Sequence, residues 1–130
     1  MLIEEDILIA LQNDIDTANT PLEKVKALNN KLSKLRNDIS FGDAMPILKE
    51  AQELTDTMDD DQETQHQRAR TLSLQAIVMR NHGEYEAALF SAKDALRYYE
   101  QLGDIEQQAH LHNSIGNTLS NMGDNIEALH

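Results

Sequence analysis

Gly83-Glu84-Tyr85-Glu86-Ala87-Ala88-Leu89 and Gly123-Asp124-Asn125-Ile126-Glu127-Ala128-Leu129 are the two stretches that decide how this chain is read. They begin 40 residues apart, and each opens with a glycine and an acid followed by an Ala-Leu stripe. A third turn of the same kind, Gly42-Asp43, begins 41 residues before the first. Glycine closes a helix because it takes the left-handed cap conformation without steric cost. An acid just after it suits the positive end of the next helix. A fixed spacing of this size signals stacked helical hairpins. One hairpin cannot cover its own apolar stripe, so neighbours must share theirs.

Outward from these turns, apolar residues recur at steps of three and four almost throughout. The first run is Ile3, Ile7, Leu11, Ile15 and Ala18. Thr20-Pro21-Leu22-Glu23 then reads as a helix start: Thr20 caps, Pro21 suits the first helical position and Glu23 completes a capping box. The second run is Leu22, Val25, Leu28, Leu32, Leu35 and Ile39. After a turn at Ser40-Phe41-Gly42, Asp43 is expected to cap a third helix with the stripe Ala44, Ile47, Leu48, Ala51 and Leu54. Pro46 then falls in its first turn, where a missing N–H costs little. Met58-Asp59-Asp60-Asp61 breaks the pattern and reads as a solvated acidic loop rather than a calcium site, since the alternating ligands, glycine and closing glutamate of an EF-hand are missing. The fourth run is Ala69, Leu72, Ala76 and Met79. The fifth is Tyr85, Ala88, Leu89, Ala92, Leu96 and Tyr99; the sixth is Ile105, Ala109, His112, Ile115, Leu119 and Met122. Gly123-Asp124 is expected to turn the chain into a seventh helix, cut short at His130. The fold class is therefore all-α, with about seven helices in antiparallel pairs, because short connections force antiparallel neighbours. The segments are 1–41, a divergent first pair; 42–82, a helix, the acidic loop and a helix; and 83–130, the clearest repeats with a truncated last one, all in one continuous array.

Composition agrees. Hydrophobic residues make up 40% and aromatics 4%, so the core must be built from Leu, Ile, Ala and Met. Only 5 Gly and 2 Pro interrupt the chain, which favours helix over sheet. No cysteine is present, which excludes a disulfide framework, a thiolate zinc site and a cysteine nucleophile, and suits the cytoplasm. A formal charge of −12 disfavours nucleic acid and an anionic membrane surface. The charge is uneven: residues 1–20 hold five acids and no base, whereas Lys24, Lys26, Lys31, Lys34 and Arg36 face only Glu23 nearby. No apolar run approaches the ~20 residues that span a bilayer.

Residues 105–129, with Ile115-Gly116-Asn117, Leu119, Met122-Gly123-Asp124 and Ala128, resemble the tetratricopeptide repeat family. The resemblance implies a right-handed superhelical array in which small residues let paired helices approach closely. Ala76 and Gly116 match the small position of the first helix; Ala88, Ala95 and Ala128 match those of the second; Gly83 and Gly123 form the turns. Leu72 and His112 stand where the family has an early tryptophan, and the closing proline is absent. In the first repeat the small position holds Leu35 or Arg36. The period exceeds the usual ~34 residues, as in the lengthened repeats of bacterial regulatory proteins. Close packing at Gly116 would make Gly116→Leu overpack the pair.

The family's first helices line a concave groove. By that likeness the lining is Arg70, Ser73, Ile77 and Arg80 in one repeat and His110, Asn113, Asn117 and Ser120 in the next. Amides pair with a peptide backbone and arginines fork a carboxylate, so the expected partner is a protein or peptide segment, another domain of the same chain included. No catalytic motif, cofactor or metal site is expected. His110 and His112 are two apart and point to different faces of a helix; His112 is expected in the core, and His82 at a helix end. Of Tyr98-Tyr99, one ring is expected in the core and one at the surface. The expected function is a non-enzymatic interaction scaffold. The resemblance further implies the regulatory region of a larger bacterial signalling protein, with an output such as a diguanylate cyclase or a kinase, and a stop at His130 inside a helix is expected of such a fragment. The alternative is a homo-oligomerisation module working through an exposed C-terminal repeat edge, where Ile115 and Leu119 would stand free.

Overall fold

A computed structural model describes residues 2–128, and among them the chain is all-helical, with six helices and no strand. The helices are α1 (Leu2–Asp16), α2 (Pro21–Leu35), α3 (Phe41–Asp56), α4 (Gln62–Asn81), α5 (Tyr85–Leu102) and α6 (Ile105–Ala128). No described helix is long and apolar enough to cross a membrane.

Side-chain caps set most of the helix starts. Thr20 holds an extended backbone and its hydroxyl accepts from the Glu23 N–H at 3.1 Å. The Glu23 carboxylate reaches back, but to the Asn19 N–H at 2.8 Å, one residue beyond the expected target. Asp61 caps α4 by accepting from the Thr64 N–H at 2.9 Å, and Asp104 accepts from the Gln107 N–H at 3.2 Å. For α3 the cap is Ser40, not Asp43: the Ser40 hydroxyl accepts from the Asp43 N–H. The helix thus starts three residues earlier than expected, because Ser40 meets the same need for an acceptor first. Pro46 consequently lies inside the helix rather than in its first turn.

The three equally spaced glycines are not equivalent. Gly83 has φ +86° and closes α4: the Glu84 N–H donates to the Met79 carbonyl at 2.8 Å. Gly103, with φ +72°, closes α5 in the same way, through the Asp104 N–H and the Tyr99 carbonyl. Both are left-handed closures. Gly42 instead lies in the first turn of α3, and Gly123 lies inside α6, which runs 24 residues through Gly123-Asp124 without turning. The expected seventh helix is therefore absent up to Ala128. Extending a helix gains one hydrogen bond per residue, whereas a turn at Gly123 would require a fresh and unfavourable nucleation. The side chain of Ala128 and all of His130 lie outside the described residues.

The helices form two layers. α2, α4 and α6 lie side by side, α4 touching both neighbours. α3 packs over α2 and α4, α5 packs over α4 and α6, and α1 rests on α2. One core cluster joins α4, α5 and α6 through Ala69, Ala76, Ala92, Ala95, Tyr99 and Leu111. The other joins α2, α3 and α4 through Leu32, Ala44, Leu48, Leu74 and Val78. The expected packing positions Ala76, Ala88 and Ala95 are buried. Helix α4 serves both clusters, so Leu74 and Val78, outside the stripe read from the sequence, are buried as well as Ala69 and Ala76.

Helix α6 is rotated from its expected register. Its buried side is Leu111 and Thr118, with Ile115 half-buried, while Ile105, Ala109, His112 and Leu119 are exposed. His112 is thus a surface residue, not a core histidine. Gly116 is exposed too, and a Cβ built there would meet nothing within 4 Å. It packs no helix pair, so Gly116→Leu would not overpack this chain. The reason is that α6 carries two apolar stripes, and α4 and α5 take only one.

Candidate functional site

Side by side, α2, α4 and α6 leave a groove on the face opposite α3 and α5. Its larger hollow, about 490 Å³, is lined by Ser33 and Arg36 of α2 and its end, by Arg70, Ser73, Leu74 and Ile77 of α4, and by Gln107, His110, Leu111 and Ser114 of α6. Tyr99 reaches it from α5. A second hollow of about 310 Å³ shares Arg70, Tyr99 and Gln107 and adds Lys26, Glu63, His66, Gln67 and Asp104. The shared residues make the two hollows one continuous trough along α4.

Helical spacing explains the α4 wall. His66, Arg70, Ser73 and Ile77 follow steps of four, three and four, so they form one line on the helix. The other sides of α4 are committed to the core, which leaves this line as its open face. The Ser73 hydroxyl donates to the Ala69 carbonyl at 2.9 Å and lies against the buried Tyr99. The His66 ring meets the Tyr99 ring edge-on, with centroids 6.0 Å apart.

Electrostatics distinguish the larger hollow. The chain carries −12 overall, yet no carboxylate lines this part of the groove, which presents Arg36, Arg70 and His110. The ion pairs among the described residues are Lys24–Glu50, Lys49–Glu53, Arg68–Asp60 and Arg97–Asp94, and His110 Nε2 lies 3.9 Å from the Glu106 carboxylate. Arg36, Arg70 and Lys26 are in none of them. Burial lowers the Arg70 pKa from its ordinary value, opposed by the nearby Tyr99. The guanidinium nevertheless stays charged at neutral pH. Burial raises the Tyr99 phenol; its hydrogen bond with Ser73 opposes the rise, Asp104 adds to it and Arg70 works against it. The result is a partly desolvated cation that is in none of these ion pairs, with Glu63 and Asp104 lining the adjoining second hollow.

The structure brings together Arg70, Ser73, Ile77 and His110 of the expected lining. Arg80, Asn113, Asn117 and Ser120 do not line these hollows. Asn113, Asn117 and Ser120 are exposed on α6, displaced by the same rotation that exposes His112. The α6 wall is instead Gln107, His110 and Ser114, in step with the buried Leu111. Sequence reasoning also missed Ser33 and Arg36, whose spacing of three on the basic α2 was the available signal. Of the tyrosine pair, Tyr99 is the core ring and also reaches the groove, which was not foreseen, while Tyr98 is half-buried against the core cluster rather than at the surface.

His82 stands at the C-terminal end of α4 as expected, stacked on Phe41 with ring centroids 4.2 Å apart. The acidic loop is tied down: Arg68 bridges Asp60 at 2.7 Å and the Thr55 carbonyl at 3.0 Å, while Asp61 serves as a cap. Among the described residues no three His, Asp or Glu side chains gather as metal ligands. In comparisons with protein-family models, curated proteins and solved structures, nothing matches this chain.

Proposed function

We propose that this chain is a protein-interaction scaffold whose groove takes an acidic segment of a polypeptide. The observation that carries the reading is the carboxylate-free hollow around Arg70 and Arg36 in a chain of net charge −12. A cation held between low-dielectric walls focuses its field on an incoming anion. A guanidinium fork also grips a carboxylate through paired hydrogen bonds. Ser33, Ser73, Gln107 and Ser114 offer hydroxyls and amides to a peptide backbone, and Leu74, Ile77 and Leu111 offer an apolar floor to a side chain.

The tetratricopeptide-like arrangement belongs to the same proposal. It is supported by the layer of α2, α4 and α6, whose starts at Pro21, Gln62 and Ile105 lie 62 − 21 = 41 and 105 − 62 = 43 residues apart. The place of the chain as the regulatory part of a larger bacterial signalling protein, with a cyclase or kinase output, rests on the resemblance alone.

The test is fluorescence anisotropy with a labelled peptide of alternating Glu and Leu, and its Lys-Leu counterpart as control. The wild-type chain binds the acidic peptide, and added salt weakens the binding by screening. Arg36→Glu with Arg70→Glu weakens it at least about tenfold, since a hydrogen bond to a charged group contributes about 1.5–3 kcal/mol, while the helical circular dichroism is kept. Equal binding of the Lys-Leu peptide, or binding indifferent to the double substitution, overturns the reading.

A further inference from the structure

The exposed side of α6 is a second surface, separate from the groove. Ile105, Ala109, His112, Gly116, Leu119 and Gly123 succeed one another in steps of four, three, four, three and four. All six are exposed, Ile105 at 77% and Leu119 at 53%. A seam that alternates three and four over this length is the pattern by which one helix packs along another. Nothing among the described residues covers it.

The seam has two rows. Ile105, His112 and Leu119 form a bulky row, and Ala109, Gly116 and Gly123 a small one. Glycine inside a helix is less stable than alanine, and among the described residues no contact requires it at Gly116 or Gly123, where a Cβ would meet nothing within 4 Å. The small row leaves room for the bulky row of another helix. The two rows are also mirror-related in order. When a second α6 runs antiparallel, Ile105 faces Gly123 of the second copy, Leu119 faces Ala109, and His112 faces Gly116. Each pair of residue numbers sums to 228, so one register satisfies all of them, and each bulky residue meets a small one. A parallel pairing would set Leu119 on Leu119 and leave Gly116 facing Gly116 across a gap.

Charge selects the same partner. A chain of −12 repels its own copies. Residues 105–123, however, hold Glu106 as their only acid and no Lys or Arg. In the antiparallel register the two Glu106 residues lie at opposite ends of the seam, 16 residues or about 24 Å apart at 1.5 Å per residue. Antiparallel helices also set opposite dipole ends together.

We infer that the occupant of this face is a second copy of the chain, joined through an antiparallel α6–α6 seam with a two-fold axis at the level of Ser114. The groove residues Gln107, His110 and Ser114 lie on another side of α6, so pairing leaves the groove open.

Sedimentation velocity of the 130-residue chain, run from micromolar to millimolar concentration, tests this. The wild type passes from a one-chain to a two-chain species. Ile105→Glu with Leu119→Glu stays one-chain throughout, with unchanged helicity and melting, since both side chains are exposed. The absence of cysteine permits a register test. Under oxidation, His112→Cys chains mixed with Gly116→Cys chains cross-link faster than Asn113→Cys chains mixed with Asn117→Cys chains, which lie off the seam. A wild type that is one-chain at every concentration overturns the inference and leaves the face to a different helix. A dimer indifferent to the double glutamate substitution, or equal cross-linking rates, overturns it as well.

Discussion

Asn29 is fully buried in α2. Its amide donates to Gln67 Oε1 at 3.0 Å, and its Oδ1 accepts from the Thr71 hydroxyl at 3.0 Å. The Thr71 hydroxyl also lies 2.9 Å from the Gln67 carbonyl. No buried side-chain nitrogen or oxygen among the described residues lacks a partner. These bonds tie α2 to α4 at one axial position, because sliding either helix would orphan polar groups in the core. Asn29→Ala is therefore expected to cost about 1–3 kcal/mol, the penalty for buried groups left without partners. Urea denaturation reads this as a lower midpoint at an unchanged slope. Replacing Asn29 by Leu and Thr71 by Val together should cost less than the two single changes summed, because the partners leave together. None of this was legible in the sequence. The α2 stripe marks Val25, Leu28 and Leu32, but a buried asparagine looks like a solvated one until partners 38 and 42 residues away are brought beside it.

Helix boundaries were legible at Thr20, whose hydroxyl caps α2, and at Gly83, whose backbone closes α4, but not at Ser40, which caps α3 ahead of the expected Asp43. Asp61 shows how such a cap responds to pH. Its pKa lies below the ordinary 3.8, held down first by the Thr64 backbone N–H and then by the Thr64 side chain. A depressed carboxyl contributes stability above the unfolded value, and that contribution fades as pH falls through the folded one. Asp61→Ala is accordingly expected to lower the melting temperature at neutral pH. The gap from wild type should narrow as pH falls through 3.8 and below. A constant gap at every pH would assign the loss to something other than the carboxylate. Helix α6 shows the limit of local reading. Its two stripes, one through Leu111 and Thr118 and one through Ile105 and Leu119, have the same helical periodicity. Which of them is buried depends on where α4 and α5 lie.

Across the whole molecule α4 is the shared wall, touching α2, α3, α5 and α6. Leu74 is 5% exposed within the cluster joining α2, α3 and α4, and it also borders the groove. Leu74→Ala is expected to cost about 2–5 kcal/mol, as buried leucine truncations do, and unfolding should stay a single transition because α4 belongs to both clusters. Two separated transitions would mean that the clusters fold independently. The amino-acid order alone determined the helical class and the helix count to within one. Those follow from steps of three and four, from caps a few residues long, and from the near absence of strand formers. The tertiary structure alone decided which face of α6 is inside, that Gly123 continues a helix while Gly103 ends one, and that Arg36 and Tyr99 join the groove. These depend on contacts between residues dozens of positions apart, where burial is settled by which neighbour arrives and not by periodicity.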